Sequence, residues 1–437
     1  MRVAKNIYED ASMKNPSSKT HNLFGFSDHS RVGGLGFGGV LPGVAHSGSG
    51  GVSGSVYAQR RCAFMTGGLG LLIFSFFILR GLAASVISSM MGALSSDSSS
   101  LSPGGGGHLR MDKFPESFRI AVIADLDQKS KKENGKQWFS YYMTATLKRH
   151  EIDASSSSYE IAWDDPAEVS TSHNEAGRGC ELSELVEYND QLFTFDDRTG
   201  IMFEIKNSET SSRSAGTAAP MLVPRHIFME GSGSINDKGL KVEWATVKDG
   251  LLYVGSFGKE FTNNKGEIVH KNNLWVKTYS KDGVVHHLDW SDNYEKMRKS
   301  LGYDYPGYLL HESITWSPHH RKWFVLPRRM SKEVYEEAKD EKMGHNTIVI
   351  ASHDFNEIKT HIVGPKTPER GFSSAKFLPG SRDSVLIVLK SEEFSETGVQ
   401  KTFIAIYGED VSGSWKELLK ETELPIQAKF EGIEILI

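Results

Sequence analysis

The sequence predicts an all-β protein, a five-bladed β-propeller over residues 114–437, preceded by a disordered segment and one membrane-spanning helix. Three observations carry this. A short segment ending in Ser or Glu recurs, with Ser183, Glu243, Glu312, Ser373 and Glu431 spaced by 60, 69, 61 and 58 residues. The first four are each followed by a turn signal and an apolar run, the pattern of a hairpin. One hairpin unit about every 60 residues suits a blade of four antiparallel strands, and five blades fill the 320 residues from 118 to 437.

The turns are Tyr188-Asn189-Asp190, Lys248-Asp249-Gly250, Ser317-Pro318-His319-His320 and Pro379-Gly380-Ser381. The runs are Leu192–Phe195, Leu251–Val254, Trp323–Leu326 and Val385–Leu389. Each run ends in a polar cluster: Asp196-Asp197-Arg198, Gly258-Lys259-Glu260, Arg328-Arg329 and Lys390-Ser391-Glu392-Glu393. Few helices are expected; the charged stretch 332–342 is a candidate for one inside a loop.

Upstream the composition changes. Residues 1–61 are polar and Gly-rich, without strand or helix periodicity. Their Gly34-x-Gly36-x-x-Gly39 spacing follows no strand and opens no helix, so it reads as chance within Gly-rich sequence. Residues 62–79 carry no charge, and a milder apolar stretch continues past Arg80 to 94. Eighteen uncharged residues are at the lower limit for crossing a bilayer; a buried core helix is the alternative reading. Seven Lys/Arg precede the run and only Arg80 and Arg110 closely follow it, so the N-terminus is expected in the cytosol. Residues 95–113 read as a flexible Ser/Gly stem.

Composition excludes some function classes. A net charge of −5 without a basic tract makes a poor nucleic-acid binder. Two cysteines, Cys62 and Cys180, give no disulfide framework within the globular part.

In a propeller the innermost strand of each blade lines the axis, so equivalent positions converge. Glu243, Glu312 and Glu431, with Ser183, Glu184 and Ser373, are therefore expected to meet. Converging carboxylates repel unless a cation neutralises them, and an all-oxygen set suits Ca²⁺ better than Zn²⁺. Solvated strand ends are the alternative reading of the same spacing.

Long stretches in order resemble the soluble calcium-activated nucleotidase (apyrase) family. They include Arg119–Asp127, Trp138–Tyr141, Gly177–Glu184, Leu192–Gly200, Glu243-Trp244 and Tyr253–Glu260. Pro306–Ser313, Phe324–Arg329, Gly371–Ser374, Leu389–Glu393 and Phe430–Ile433 continue the match. The resemblance implies a five-bladed propeller that hydrolyses nucleoside di- and triphosphates with Ca²⁺, which Ser183, Glu184, Glu243, Glu312, Ser373 and Glu431 would hold. UDP and GDP are the implied substrates of vertebrate-like members, ADP and ATP those of blood-feeding arthropod relatives. With the anchor, it implies a type II membrane protein of the endoplasmic reticulum or Golgi, its catalytic part lumenal or released by cleavage, clearing the nucleotides left by glycosyl transfer. A homodimer is a further expectation.

Phosphoanhydride hydrolysis needs charge neutralisation and an aligned water. Arg198, Lys259, Arg328 and Arg329 are candidates to clamp phosphate oxygens. Asp125, Asp127, Asp196 and Asp197 are candidates to orient or deprotonate the water. Asp196-Asp197 can also be an ordinary turn before Thr199-Gly200. Trp244 or Trp138 is a candidate to stack on the base, or part of the core. The competing class is a non-catalytic calcium-binding propeller that docks a protein or glycan.

Overall fold

The structure is a computed structural model that describes residues 114–436 except 154–155, 209–217, 235–236 and 264. The expected cytosolic tail, anchor and stem lie outside the described residues. Among those described, no helix is long and apolar enough to cross a membrane.

Five antiparallel sheets form the blades. Blade I holds β1 (Ser117–Asp125), β2 (Trp138–Asp153), β3 (Ser156–Trp163) and β4 (Ala167–Thr171). Blade II is β5 (Leu182–Tyr188), β6 (Gln191–Asp196), β7 (Ile201–Lys206) and β8 (Met221–Ile227). Blade III starts with β9 (Trp244–Lys248) and β10 (Leu251–Gly255). A small hairpin, β11 (Phe261–Thr262) and β12 (Ile268–His270), leads to β13 (Trp275–Tyr279) and β14 (Val285–Asp289). After helix α1 (Ser291–Leu301), blade IV is β15 (Tyr308–Ser317), β16 (Lys322–Ser331), β17 (Thr347–Ser352) and β18 (Ile358–Ile362). Blade V is β19 (Arg370–Phe377), β20 (Val385–Phe394), β21 (Val399–Glu409) and β22 (Trp415–Glu423). The last strand, β23 (Lys429–Leu436), returns to blade I and pairs with β1, from Arg119 opposite Leu436 to Asp125 opposite Lys429. The first and last strands thus close the ring with backbone hydrogen bonds.

All four apolar runs are the second strands of their blades, and the packing explains their continuous hydrophobicity. Successive strand residues point to opposite faces, and each face of a blade packs against a different neighbour. In β16, Trp323 and Val325 enter the core between blades III and IV, while Phe324 and Leu326 enter the core between IV and V. Val385, Ile387 and Leu389 of β20 face blade I, and Leu386 and Val388 face blade IV. Five such apolar clusters fill the five seams.

Helix α1 was not expected. Its signals are polar Ser291 and Asp292 at the start and Gly302 in the left-handed region (φ 74°) at the C-terminus. The charged stretch 332–342 shortens to one helical turn, α2 (Glu337–Asp340).

Candidate active site on the propeller axis

The innermost strands β5, β9, β15, β19 and β23 pack one against the next around the axis. Four of them carry a bulge at the expected position. Ser183 and Leu185 pair with consecutive residues of β6, leaving Glu184 extra with φ 57°. Phe372 and Ser374 pair with Lys390 and Leu389, leaving Ser373 extra. Gly432 and Phe430 pair with Ile123 and Ala124, leaving Glu431 extra. In β15 the register shifts between His311 and Ile314, around Glu312. The fifth strand begins just after Glu243, whose N–H donates to Gly255 O (2.9 Å). Bulges re-aim side chains and gather beside functional sites; here they recur at one level of the ring.

Close backbone approach makes room for this. A Cβ on Gly432 would lie 2.5 Å from Glu184 C and Leu185 N, and one on Gly371 2.3 Å from Arg328 O.

Glu243, Glu312 and Glu431 come together as the spacing predicts. Arg328 binds Glu312 and, at 2.7 Å, Glu431, and it reaches Glu393 at 3.4 Å. Ser183 Oγ donates to Glu431 Oε2 (3.3 Å), and Ser373 Oγ donates to Phe430 O (3.1 Å). Two lysines, each two residues before a glutamate, flank the group. Lys241 joins Glu243 (2.7 Å) to Asp197, and Lys429 lies 3.5 Å from Glu431 and 2.8 Å from Asp125. Sequence reasoning missed this Lys-x-Glu pattern, which recurs at Lys241-x-Glu243 and Lys429-x-Glu431.

Glu184 departs from the expectation. Its carboxylate accepts from Leu185 N (2.9 Å) and Ser374 Oγ (2.7 Å) and pairs with Lys376 (3.1 Å). The left-handed bulge turns it along the axis toward Lys376, so its carboxylate is already bound within the protein.

Electrostatics follow from burial and repulsion. Burial pushes Glu243 up to about 8, with Glu312 and Asp197 adding to it against Lys241. Glu431 rises well above its ordinary value through burial and the charges of Glu312 and Asp125, despite the opposing charges of Lys429 and Arg328. Ser313 Oγ is buried without a hydrogen-bond partner among the described residues. Repelling carboxylates and hydroxyls, one of them orphaned, without nitrogen or sulfur donors, are the surroundings a hard divalent cation takes.

The polar clusters ending the second strands surround this group, but their members differ in role. Asp125 is buried, and burial works to raise it, yet Lys429, the Asp127 N–H and Lys241 together hold its carboxyl below the ordinary range. Asp127 is partly exposed and pushed up to about 7 by burial and Asp125. Asp196 is a correction: it is fully buried and accepts from Cys180 N (2.9 Å) and Arg198 N (3.0 Å). It fixes two loops and has no access to a water outside. Asp197 pairs with Lys241.

Of the expected clamps, Arg328 is at the centre but bound to carboxylates. Arg329 is buried, 4.0 Å from Asp340. Arg198 pairs with Glu175 (2.9 Å). Lys259 is buried and donates to Glu260 O (2.8 Å), its ammonium 4.4 Å from the centre of the Tyr335 ring. Trp244 is a second correction: it is fully buried, donates to Ser256 O (3.0 Å) and packs on Trp290, so no base can stack on it. Trp138, the alternative, is 4% exposed and donates to Gly177 O (3.0 Å). Glu181, overlooked as a site residue, is forked by Arg178 and pushed up to about 9 by burial, Asp197 and Asp125.

With this geometry in hand, comparison with known proteins assigns the chain. The apyrase family profile matches residues 126–436. The chain belongs to the apyrase family. Among curated relatives, soluble calcium-activated nucleotidase 1 of Rattus norvegicus is 41% identical over 320 residues, 73% of this chain and 74% of the relative. An apyrase of Cimex lectularius is 39% identical, covering 73% and 82% of the two chains. An apyrase of Caenorhabditis elegans is 36% identical, covering 74% and 86%. The stretch matched by the apyrase profile contains the whole axial ring.

Proposed function

We propose that this apyrase-family chain hydrolyses nucleoside diphosphates to monophosphate and phosphate in a calcium-dependent reaction, with UDP and GDP favoured and ADP or ATP as further substrates. The observation that carries the reading is the ring of bulged strands that gathers Glu312, Glu431 and Ser183 about Arg328, with Glu243 beside Glu312. Ser373 completes the donor set. Bound calcium supplies neutralisation of phosphate oxygens and polarises phosphorus.

The chain's own residues supply the rest. Lys241 and Lys429 lie between the inner glutamates and the outer aspartates, and Arg328 lies among Glu312, Glu431 and Glu393; the three cations are placed to take phosphate oxygens. Asp127, partly exposed and near neutrality, is suited to take a proton from water; Asp125, held ionised by Lys429, orients it.

The test replaces Glu243 or Glu312 with Gln and follows UDP hydrolysis against free Ca²⁺. Loss of at least about a hundredfold in turnover, with the calcium dependence shifted, is expected. Unchanged activity and calcium dependence in both variants refutes the scheme.

The uncharged run 62–79 and the basic residues before it support a type II anchor, with the propeller in the lumen of the endoplasmic reticulum or Golgi and clearing nucleotides left by glycosyl transfer. Protease protection of the propeller in sealed microsomes checks this; digestion without detergent refutes it.

A further inference from the structure

Beside the ring lies a second group of carboxylates, from blade I and the entry to blade II. One oxygen each of Asp125, Asp127 and Glu181 lie within 4.8 Å of one another. Asp125 ends β1, Asp127 follows it with φ 49°, and Glu181 precedes β5. Their protein partners are few for so much charge. Lys429 lies 2.8 Å from Asp125 and 3.2 Å from Asp127. Gln400 Nε2 donates to Asp127 (2.6 Å), Asp127 N donates to Asp125 (2.7 Å), and Arg178 forks Glu181.

A fourth carboxylate, that of Asp197, lies near the group. Asp197 N donates to Glu181 O (3.0 Å), and the Asp197 charge acts on both Glu181 and Asp127. Lys241 takes Asp197 Oδ2, but Oδ1 is buried without a hydrogen-bond partner among the described residues, on a side chain only 5% exposed. A buried acceptor left unmatched is expensive, and more so when charged. Four carboxylates thus face Lys429 and Arg178, with Lys241 shared with Glu243 and Lys429 shared with Glu431. The negative charge exceeds what these cations neutralise.

We propose that Asp125, Asp127 and Glu181, with Asp197 Oδ1, hold a second divalent cation, Ca²⁺ or Mg²⁺, separate from the ion of the axial ring. The donors are all oxygen and come from three segments of two blades, the set a hard ion takes. Two ions in one site can clamp the attacking and the leaving oxygens of a phosphoryl displacement. The proposal rests on the phosphohydrolase reading for its purpose, not for the binding itself. It changes the task of Asp127 from taking a proton to holding an ion that carries the water.

The experiment is equilibrium dialysis of the full chain with Ca²⁺ or Mn²⁺, followed by metal analysis. Two ions per wild-type chain are expected, one in Asp127→Asn, one in Glu243→Gln and none in the double variant. Asp127 is chosen because it is partly exposed; Glu181→Gln, which also disturbs Arg178, is the second variant and should likewise keep one. One ion in the wild type overturns the proposal. So does Asp127→Asn that loses turnover but keeps two ions, since Asp127 then acts on water directly. Two ions lost one by one, without nucleotide hydrolysis in the wild type, leave the site standing and overturn the proposed function.

Discussion

Along the propeller axis the same five strands build two unlike ends. Around Glu243, Glu312 and Glu431 the cations Arg328, Lys241 and Lys429 are shared with Glu393, Asp197 and Asp125, and Glu243 and Glu431 are pushed above their ordinary range. Three residues further along β19, roughly 10 Å on, Lys376 binds Glu184 at 3.1 Å and lies 3.5 Å from Ala245 O, while Thr246 and Thr315 bond across blades at 3.4 Å. One end keeps its frustration and the other resolves it within the chain. A scaffold that closes its own charges where it can has left the remaining ones open for something it does not contain.

The largest test of that contrast is Lys376→Met. It leaves Glu184 buried without its cation and should cost about 3–5 kcal/mol in denaturant unfolding. Calcium affinity by calorimetry should stay within about threefold; a change beyond tenfold would mean that the two ends are not independent.

Gly432→Ala sharpens the contrast from the backbone side. The new methyl meets Glu184 C and Leu185 N at 2.5 Å, so β5 and β23 must part at the level of the ring. A loss of about 1–3 kcal/mol is expected, together with weaker calcium binding. Full stability in a melt would show that the strands have slack there.

A pH series separates the ends chemically. Glu243 binds its proton up to about 8 in the folded chain, against an ordinary 4.5. For an acid raised in this way the folding penalty is absent below 4.5, grows as pH rises and is complete above 8. Calcium must displace that proton, so its stabilising effect should increase from pH 6 to 8, by at most about 1.4 kcal/mol per pH unit for each proton released. A calcium-induced melting shift that is flat across this window would argue against the glutamate end as the ion's seat.

The smallest effect is expected for Trp244→Phe, which removes the bond to Ser256 O deep in the seam between blades III and IV. About 1 kcal/mol of stability should go, with KM for UDP unchanged. A raised KM would reopen a role for this ring in binding.

Most of the architecture was legible because propeller strands are short, locally paired and apolar on both faces. The runs at Trp323–Leu326 and Val385–Leu389 announce second strands, since each must satisfy two neighbours. Ring closure was not legible: nothing in Lys429–Leu436 alone says that it pairs with a strand more than 300 residues away. Within the site, the spacing of Glu243, Glu312 and Glu431 survived because equivalent blade positions must converge. Side-chain direction did not. Glu184 turns aside through a left-handed bulge, and Asp196 is consumed by backbone donors two and sixteen residues away. Lys241 and Lys429 were readable from their Lys-x-Glu repeat, and Glu181 from the Gly177–Glu184 motif in which it sits.

Closure by β23 has a consequence for assembly. The segment bearing Lys429 and Glu431 is the last part of the propeller to be synthesised, yet it forms the innermost strand of the first blade. Four blades and most of a fifth must wait with a gap at their centre until it arrives. An interrupted translation product therefore lacks both a complete toroid and two of its central charges, and competence for metal and substrate comes in a single late step.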